Sequence, residues 1–510
     1  MTRGRIAALI LGVWAAALGW LAFREYLPSR SQLLAEATLS LPPGATYYAL
    51  SLGGAQIGFA SNTVDTLADS ISVEDIMVLE VPALGTLHRT DARTRAVLTR
   101  QLRLRSFEAV LRGDLGRFAA RGRVLGDSVL SVEFESGGAT ETMRVALARP
   151  VVLPGLVPLQ VAFGEQVRVG GRYSLRMFDP LILQEREVEI RITGDSTFTV
   201  PDSAAFDSSA GQWAPARWDT VRAYRVEQDM GGLTVTAWID QVGRVVRATS
   251  AAGFTLERSA FELAHENFRR RGAAPDLASA GDVIRQTAIA SNARLPSGSA
   301  RVLRIRLGGV DLAGFDLSGG RQTVRGDTLT VRVEPAELLE ADFQIPAPPS
   351  RFGPFIRPEP LVQSNDPRIQ AQARQIVGRQ RNPRRVAELL NRWVHDNVDK
   401  VITISVPSAV QVLEGLRGDC NEHTVLYVAL ARALGLPART AAGLVYLDGR
   451  FYYHAWPEVH LGDWVAVDPT FGQFPADASH LRFTVGGLAR QVELIRLIGR
   501  LRLDVISSEP

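Results

Sequence analysis

One cysteine, one histidine and one aspartate in the last third of the chain have the residue types of a thiol-based catalytic triad. Cys420 is the only cysteine among the 510 residues, and His454 and Asp468 follow it. A thiol can act as a nucleophile, an imidazole can take its proton, and a carboxylate can orient the imidazole. The sequence therefore predicts a catalytic group of Cys420, His454 and Asp468, provided that the fold brings the three side chains together.

The residues around the cysteine predict that it stands at the start of a helix. Gly418 and Asp419 interrupt the preceding segment, and apolar residues recur at helical spacing from 421 to 434. Gly435 is placed where a helix would end. Free N–H groups and the positive end of the helix dipole would favour the thiolate form of Cys420 at such a position.

The histidine and the aspartate are predicted to lie on neighbouring antiparallel strands. Residues 438–447 and 451–460 have the pattern of two strands joined by the Asp448-Gly449 turn, and 464–468 have the pattern of a third. Pairing of the last two strands would place His454 opposite Asp468, within about one residue. The carboxylate could then hold one ring nitrogen and leave the other for the thiol.

Four segments around these residues resemble the transglutaminase-like superfamily of papain-type cysteine enzymes. They are GDCNEHT at 418–424, GLPAR at 435–439, YHAWPEV at 453–459 and WVAVDPT at 464–470. The resemblance covers roughly the last third of the chain. It implies a papain-like α+β domain that transfers an acyl group through a cysteine thioester, from a glutamine-type amide or a peptide bond to an amine or water.

Three functions remain open on the sequence alone. The first is a membrane-anchored acyltransferase, and the second is a cysteine peptidase or amidase with the same triad and water as the acceptor. The third is a catalytically silent, membrane-anchored scaffold that only binds. Zinc ligation by Cys420, His454 and Asp468 is disfavoured because the three residues are scattered along the chain. We expect neither a metal nor another cofactor.

Composition restricts the partners. The net charge is only +3, and no basic block with interleaved aromatic residues is present, so nucleic-acid binding is not expected. The resemblance to the transglutaminase-like superfamily implies a protein or peptide substrate instead. Lys400 is the only lysine, so the chain has almost no lysine amine of its own to accept an acyl group.

The N-terminus predicts a membrane anchor. Residues 6–23 form an uncharged apolar run of 18 residues, and Arg3 and Arg5 precede it. Such a run is just long enough to cross a bilayer as a helix, and the arginines favour a cytoplasmic N-terminus. We therefore expect a single-pass membrane protein with most of the chain outside the cytoplasm, although Ala15-Ala16-Ala17 could also be a signal-peptidase site.

The chain as a whole is predicted to be a multidomain protein. We expect a cytoplasmic tip and transmembrane signal-anchor at 1–30, and a β-rich antiparallel domain at 31–272 that includes a loop at 201–219. A small β-domain at 273–345 and an extended proline-rich linker at 346–365 would follow. Residues 366–510 would form the α+β transglutaminase-like catalytic domain.

Overall fold

The computed structural model describes most of the chain after the predicted anchor. The described residues are 41–83, 86–164, 167–229, 234–250, 253–270, 284, 287–295, 298–403, 406 and 408–510. Within these ranges no helix is both long and apolar enough to cross a membrane. The apolar run at 6–23 and the segment 1–30 lie outside the described residues.

One large sheet accounts for the β-rich region. Its strands follow the order β8-β7-β6-β5-β4-β3-β2-β1-β15-β14-β13-β12-β11-β10-β9, and every pair is antiparallel except β9 with β10. A β-rich antiparallel region was predicted, and this prediction is confirmed. The strands are β1 Gly44–Leu52, β2 Ala55–Thr66, β3 Ser70–Ala83, β4 Thr86–Thr99, β5 Leu104–Gly113, β6 Gly116–Leu125, β7 Val129–Ser136, β8 Ala139–Ala146, β9 Val151–Val152, β10 Arg172–Asp179, β11 Gln184–Asp207, β12 Gln212–Asp229, β13 Thr234–Asp240, β14 Val245–Thr249 and β15 Phe254–Ser259.

Period-two alternation of apolar residues gives this sheet a buried face. In β7, Leu130, Val132 and Phe134 are buried while the residues between them are partly or fully exposed. Helix α1 (Val157–Gly164) adds Val161 to the same core. A short π-helical turn, Glu262–Glu266, leads into helix α2 (Asn267–Arg270) after the last strand. Most buried residues of the sheet belong to one apolar core, and two smaller apolar clusters lie at β1–β3 and at β11, β12 and β14.

The prediction of a loop at 201–219 was wrong. Strands β11 and β12 continue through this segment as a long hairpin, with the turn only at 208–211. The register shifts at Pro201, which is a position where a bulge tolerates proline in a strand. The serine and glycine residues therefore mark the tip of a hairpin and not a long loop.

A second β-structure joins the middle of the chain to its C-terminus. Strands β17 (Val302–Gly308), β18 (Gln322–Arg325) and β19 (Thr328–Arg332) form a sheet with β26 (Arg502–Glu509), in the order β18-β19-β17-β26. Strand β16 (Ile289–Ala290) pairs with β23 (Arg450–His460) of the C-terminal sheet. Segments on both sides of position 345 therefore share hydrogen bonds, while the domain limits given above stay predictions.

The proline-rich segment differs from the extended linker that the sequence predicted. It contains helix α3 (Pro349–Ile356), which a proline at the first position permits. Phe352 in this helix is buried and its ring lies 4.8 Å from that of His460. Glu359 forms an ion pair of 2.7 Å with Arg432, which lies on the helix that begins at Cys420. The segment therefore packs on the C-terminal structure instead of spacing it from the rest.

The C-terminal part is α+β, as predicted. Asp366, Asn382 and Ser408 cap the three helices α4, α5 and α6, because each side chain accepts a hydrogen bond from a backbone N–H of the first turn. The elements are α4 Pro367–Val377, α5 Pro383–Asn397, β20 Asp399–Lys400, α6 Ala409–Gly415, β21 Arg417–Gly418, α7 Cys420–Ala433, β22 Ala438–Leu447, β23 Arg450–His460, β24 Trp464–Ala466, β25 Leu481–Val485 and α8 Leu488–Gln491. Single turns of 3₁₀ helix lie at Pro154–Leu156, Ala336–Leu339 and Val492–Leu497.

In the C-terminal sheet the backbones of neighbouring strands approach closely at one glycine. This approach fixes the position of the strand that carries His454. Gly443 on β22 pairs with His454 on β23. A Cβ atom at Gly443 would lie 1.9 Å from the carbonyl oxygen of Leu481 on the other neighbouring strand. Only glycine allows this spacing, so β22 is held tightly between β23 and β25.

Candidate active site

Cys420 is the first residue of helix α7, as the sequence predicted. Asp419 caps the helix, accepting a hydrogen bond of 2.8 Å from the Asn421 N–H, while its own N–H donates to Glu422 Oε2 at 3.0 Å. This reciprocal pair is a capping box. The backbone N–H of Cys420 thus belongs to the first turn, where N–H groups have no partner within the helix.

The sulfur of Cys420 meets strand β23 next to the predicted base. The Ala455 backbone hydrogen-bonds to the sulfur. Cys420 is half-buried, and it lines a cleft of about 890 Å³ together with His454. The fold therefore brings the predicted nucleophile and the predicted base to the same cavity, from a helix and a strand that follow each other in sequence.

The surroundings of the thiol oppose its ionisation. Burial raises the pKa of Cys420 well above its ordinary value, and the Asp419 carboxylate adds to this rise; the Ala455 hydrogen bond acts in the other direction. The helix N-terminus alone had suggested a lowered pKa. Burial and nearby carboxylates therefore favour the protonated thiol over the thiolate.

His454 and Asp468 are joined by a buried hydrogen bond. The distance from His454 Nε2 to Asp468 Oδ2 is 2.7 Å, and both side chains are buried. The predicted proximity is confirmed, but strand pairing does not supply it directly. Strand β24 ends at Ala466, and Asp468 lies beyond it in a bridge with Gln473. Since Nε2 is used by Asp468, Nδ1 is the ring nitrogen left for the thiol.

Asp468 is held as a carboxylate by four hydrogen bonds. Its Oδ1 accepts from the N–H groups of Thr470 at 2.7 Å and Phe471 at 3.0 Å. Its Oδ2 accepts from His454 and, at 2.9 Å, from His480 Nε2. Burial opposes its ionisation, but the two histidines hold the pKa of Asp468 well below its usual range.

Helix α5 fixes the loop that presents Asp468. His395 Nδ1 lies 3.1 Å from the carbonyl oxygen of Pro469, and Asn391 Nδ2 donates to the carbonyl of Gln473 at 3.2 Å. Gly472 has a φ of +70°, and a Cβ atom there would lie 3.0 Å from the His395 ring. The loop can therefore pack directly on α5.

Aromatic rings fix the plane of His454. Phe471 stacks on it with 5.0 Å between ring centroids, and Trp456 stacks at 6.0 Å. Trp456 is fully buried, which agrees with a packing role, whereas Phe471 is 39% exposed and lines the cleft. Sequence reasoning missed Phe471 and His480. Their only signal is a position shortly after Asp468, which does not show that they turn back towards it.

A histidine of α7 and a tryptophan of α5 lie near the site in sequence but outside the cleft. His423 is buried, with Nδ1 2.7 Å from the carbonyl of Asp419 and Nε2 3.2 Å from that of Val398. Burial lowers its pKa. Trp393 is partly buried against the apolar core of the helices. Neither side chain lines the cleft that contains Cys420.

The cleft has a wall from the large sheet. Thr86, Leu87, His88 and Asp114 from that sheet line it together with residues of α7 and β23. His88 Nδ1 lies 2.9 Å from Asp114 Oδ2, and Arg417 donates to the Asp114 carbonyl at 2.8 Å. The remaining lining residues are Ile284, Thr287, Lys400, Val401, Ile402, Thr403, Arg417, Asp419, Asn421, Val445, Leu447, Tyr452, Tyr453, Thr470 and Phe471. The β-rich region therefore helps to shape the cleft.

Among the described residues, His454, Asp468 and His480 form a group that is compact enough to consider as an ion site. One potential ligand atom from each lies within 4.8 Å of the other two. Both imidazoles, however, contact the same carboxylate oxygen directly at hydrogen-bonding distance. The three side chains satisfy one another's hydrogen-bonding groups, and we therefore describe them as a hydrogen-bonded unit. The prediction of no metal stays a prediction.

Residues 370–469 match the model of the transglutaminase-like superfamily. The C-terminal third of the chain therefore contains a transglutaminase-like domain, and the resemblance given above is confirmed. Cys420, His454 and Asp468 all lie within the matched range. Their catalytic roles stay predictions.

Individual relatives are distant. An uncharacterized protein of Mycobacterium leprae is 25% identical over 155 residues, covering 28% of this chain and 54% of that protein, so the chain spans about half the length of this relative. The structure of a proposed cysteine protease from Cytophaga hutchinsonii covers 44% of this chain and 81% of its own, with 17% identity and a TM-score of 0.26. A β-barrel-like protein from Brucella abortus, of a domain of unknown function, covers 43% and 97%, with 12% identity and a TM-score of 0.30. Both scores are too low to establish a shared fold.

The charge of Asp468 is expected to be needed for thiol reactivity. In Asp468→Asn the amide can turn its NH₂ group towards His454 Nε2, which moves the ring proton to Nδ1 and leaves no base for Cys420. We expect the rate of Cys420 alkylation by iodoacetamide near neutral pH to fall roughly 10²-fold, within the usual range for loss of general-base assistance.

Asp448→Asn serves as the matched control, because Asp448 is exposed in the turn between β22 and β23. Its alkylation rate should equal that of the unmodified protein. Equal rates in all three proteins, with unchanged thermal unfolding, would show that Asp468 does not act on the thiol.

Proposed function

We propose that this protein is a membrane-anchored acyl-transfer enzyme that forms a thioester on Cys420 from an amide substrate and passes the acyl group to an amine or to water. The observation that carries the proposal is the buried 2.7 Å hydrogen bond between His454 and Asp468, with His454 and Cys420 lining the same cleft. The transglutaminase-like domain at 370–469 supports the same chemistry.

In the first half of the reaction, His454 Nδ1 takes the proton of the Cys420 thiol as the sulfur attacks the amide carbon. A carbon–sulfur bond forms, and the carbonyl oxygen becomes an oxyanion. The backbone N–H of Cys420, in the first turn of α7, is a candidate donor to this oxygen. The carbon–nitrogen bond then breaks, and His454 gives its proton to the leaving amine or ammonia.

In the second half, an amine or a water molecule attacks the thioester. His454 takes a proton from the attacking group, the carbon–sulfur bond breaks, and the sulfur recovers a proton. Asp468 keeps its charge throughout and stabilises the imidazolium that forms twice in each cycle. The raised pKa of Cys420 fits this sequence, because a thiol that ionises only when its base takes the proton needs His454 at each turnover.

The cleft fits a peptide-like substrate. Apolar and aromatic residues from three parts of the chain surround Cys420, among them Leu87, Val401 and Tyr453. Polar groups such as Asn421 and Thr470 lie between them. An extended segment with an apolar side chain next to the reacting amide would therefore contact both the catalytic domain and the large sheet.

Amine transfer is tested with a labelled primary amine. We expect a fluorescent alkylamine to be incorporated into a glutamine-bearing protein whose own lysines are blocked, and we expect no incorporation with Cys420→Ala. Because Lys400 is the only lysine of the enzyme, labelling of the added protein can be read with little background from self-cross-linking. Mass spectrometry of the product identifies the modified residue.

The three candidate functions give different products in this assay. Conversion of glutamine to glutamate, or cleavage of the peptide chain, without amine incorporation would identify water as the acceptor and make the protein an amidase or peptidase. The absence of any Cys420-dependent product across a glutamine-rich protein panel would favour the binding scaffold, provided that the thiol also alkylates no faster than a small free thiol.

Membrane attachment is the second part of the proposal. It rests on the uncharged run at 6–23 and on Arg3 and Arg5 before it. We expect the full chain to stay with membranes after washing at high pH, and a variant without residues 2–24 to be released. External protease should digest the full chain in intact cells or spheroplasts. Release of both proteins by the wash, or protection of both from protease, would contradict the anchor or its orientation.

A further inference from the structure

A second histidine–aspartate pair lies directly behind Asp468. His480 Nε2 is 2.9 Å from Asp468 Oδ2, the same oxygen that contacts His454. His480 Nδ1 is 3.1 Å from Asp477 Oδ1. His480 and Asp468 are fully buried, and Asp477 is 5% exposed. The hydrogen bonds therefore run from His454 through Asp468 and His480 to Asp477 without leaving the protein interior.

The contacts define the protonation of His480. Each of its ring nitrogens faces a carboxylate oxygen, and only an N–H can donate to a carboxylate. Both hydrogen bonds form together only when His480 carries two protons and a positive charge. Burial alone would favour the neutral ring, but the hydrogen bonds to Asp468 and Asp477 raise the pKa of His480.

Asp477 is itself fixed as the anchor of this cation. Its Oδ1 accepts from the Ser479 N–H at 2.9 Å and from Ser479 Oγ at 2.6 Å. Arg321 donates to the backbone carbonyl of Asp477 at 3.0 Å. Burial opposes the charge, yet His480 and Ser479 hold the pKa of Asp477 below its usual value. His480 and Asp477 therefore form a buried ion pair, and hydrogen bonds from Ser479 and Arg321 hold Asp477 in place.

We infer that His480, held as a cation by Asp477, is a positioning residue of the active site that fixes the Asp468 carboxylate and competes with His454 for its charge. The inference rests on the proposed thiol chemistry, because His480 acts only through Asp468 and does not line the cleft. Asp468 without this partner could rotate, and its full charge would act on His454.

The positive charge of His480 opposes a second positive charge on His454. The rings of His454 and His480 are 5.8 Å apart between centroids, so a proton on His454 meets a like charge at short range. Asp468 attracts both rings, and Asp477 offsets part of the repulsion. The cation therefore favours the neutral, proton-accepting form of His454 over its charged form. Removing the His480 cation would remove the like charge that a proton on His454 meets.

The first test reads the protonation of His480 in the whole protein. With ¹⁵N-labelled histidine, we expect both ring nitrogens of one buried histidine to carry protons at about pH 8, well above the ordinary histidine value of about 6.5. The signal should be absent in His480→Gln. If this variant does not fold, loss of the same signal in Asp477→Asn makes the assignment. A neutral His480 at this pH would overturn the inference, whether or not Cys420 reacts with amides.

The second test separates positioning from simple folding. In His480→Gln and in Asp477→Asn, we expect the midpoint of the pH profile for Cys420 alkylation to rise by about one unit, so that the rate near pH 6 falls roughly tenfold. The rate at the high-pH plateau should fall by less than this tenfold change. His460→Gln is the matched control, since His460 lies on the same strand as His454 but outside the cleft.

The possible outcomes are distinct. A raised midpoint in both variants, with the control unchanged, supports the inference. A lower plateau with no change of midpoint would reduce His480 to a packing residue and contradict it. Unchanged profiles in both variants would contradict it as well. Failure of the proposed function would appear differently, as a Cys420 thiol that yields no acyl product although the His480 signals are present.

Discussion

The site depends on one buried carboxylate that accepts more hydrogen bonds than it has oxygens. Asp468 is fully buried, which would normally keep a carboxyl group neutral. Two backbone N–H groups and two imidazoles compensate for the lost hydration. The ionised carboxylate in turn fixes the orientation of His454 and the ring nitrogen that faces the cleft. If Asp468 were neutral, the tautomer of His454 would not be determined.

Several elements of the fold position that carboxylate and the residues around it. Helix α5 holds the loop after Asp468, and the narrow spacing at Gly443 holds the strand of His454. Helix α7 brings Cys420 to the same cleft, and the large sheet closes one side of it. Since His88 and Asp114 of that sheet line the same cleft as Cys420, the β-rich region contributes to the shape of the cleft.

Local sequence patterns predicted the elements of the site well. The helix start at Cys420 and the turn at Asp448 each depend on a few neighbouring residues, and both are confirmed. Features that depend on contacts distant in sequence were not predicted. The proline-rich segment was expected to be extended, because composition does not show that Phe352 finds a buried place against His460.

The electrostatic surroundings were the least predictable part. A helix N-terminus suggested a lowered pKa for Cys420, but burial and the carboxylate of Asp419 reverse the direction. His480 follows Asp468 closely in sequence, yet only a turn of the chain through the bridge at Gln473 brings it back to the same oxygen. Spacing alone cannot reveal such a return, because it depends on how the loop packs against α5.

The central claim is that His454, oriented by Asp468, serves as the base for the Cys420 thiol. The pH dependence of Cys420 alkylation by iodoacetamide, compared between the unmodified protein and His454→Ala, tests it most directly. We predict that the unmodified protein already reacts at neutral pH, whereas the variant reacts only above the ordinary thiol value of about 8.5. Identical profiles that rise only above that value would contradict the account.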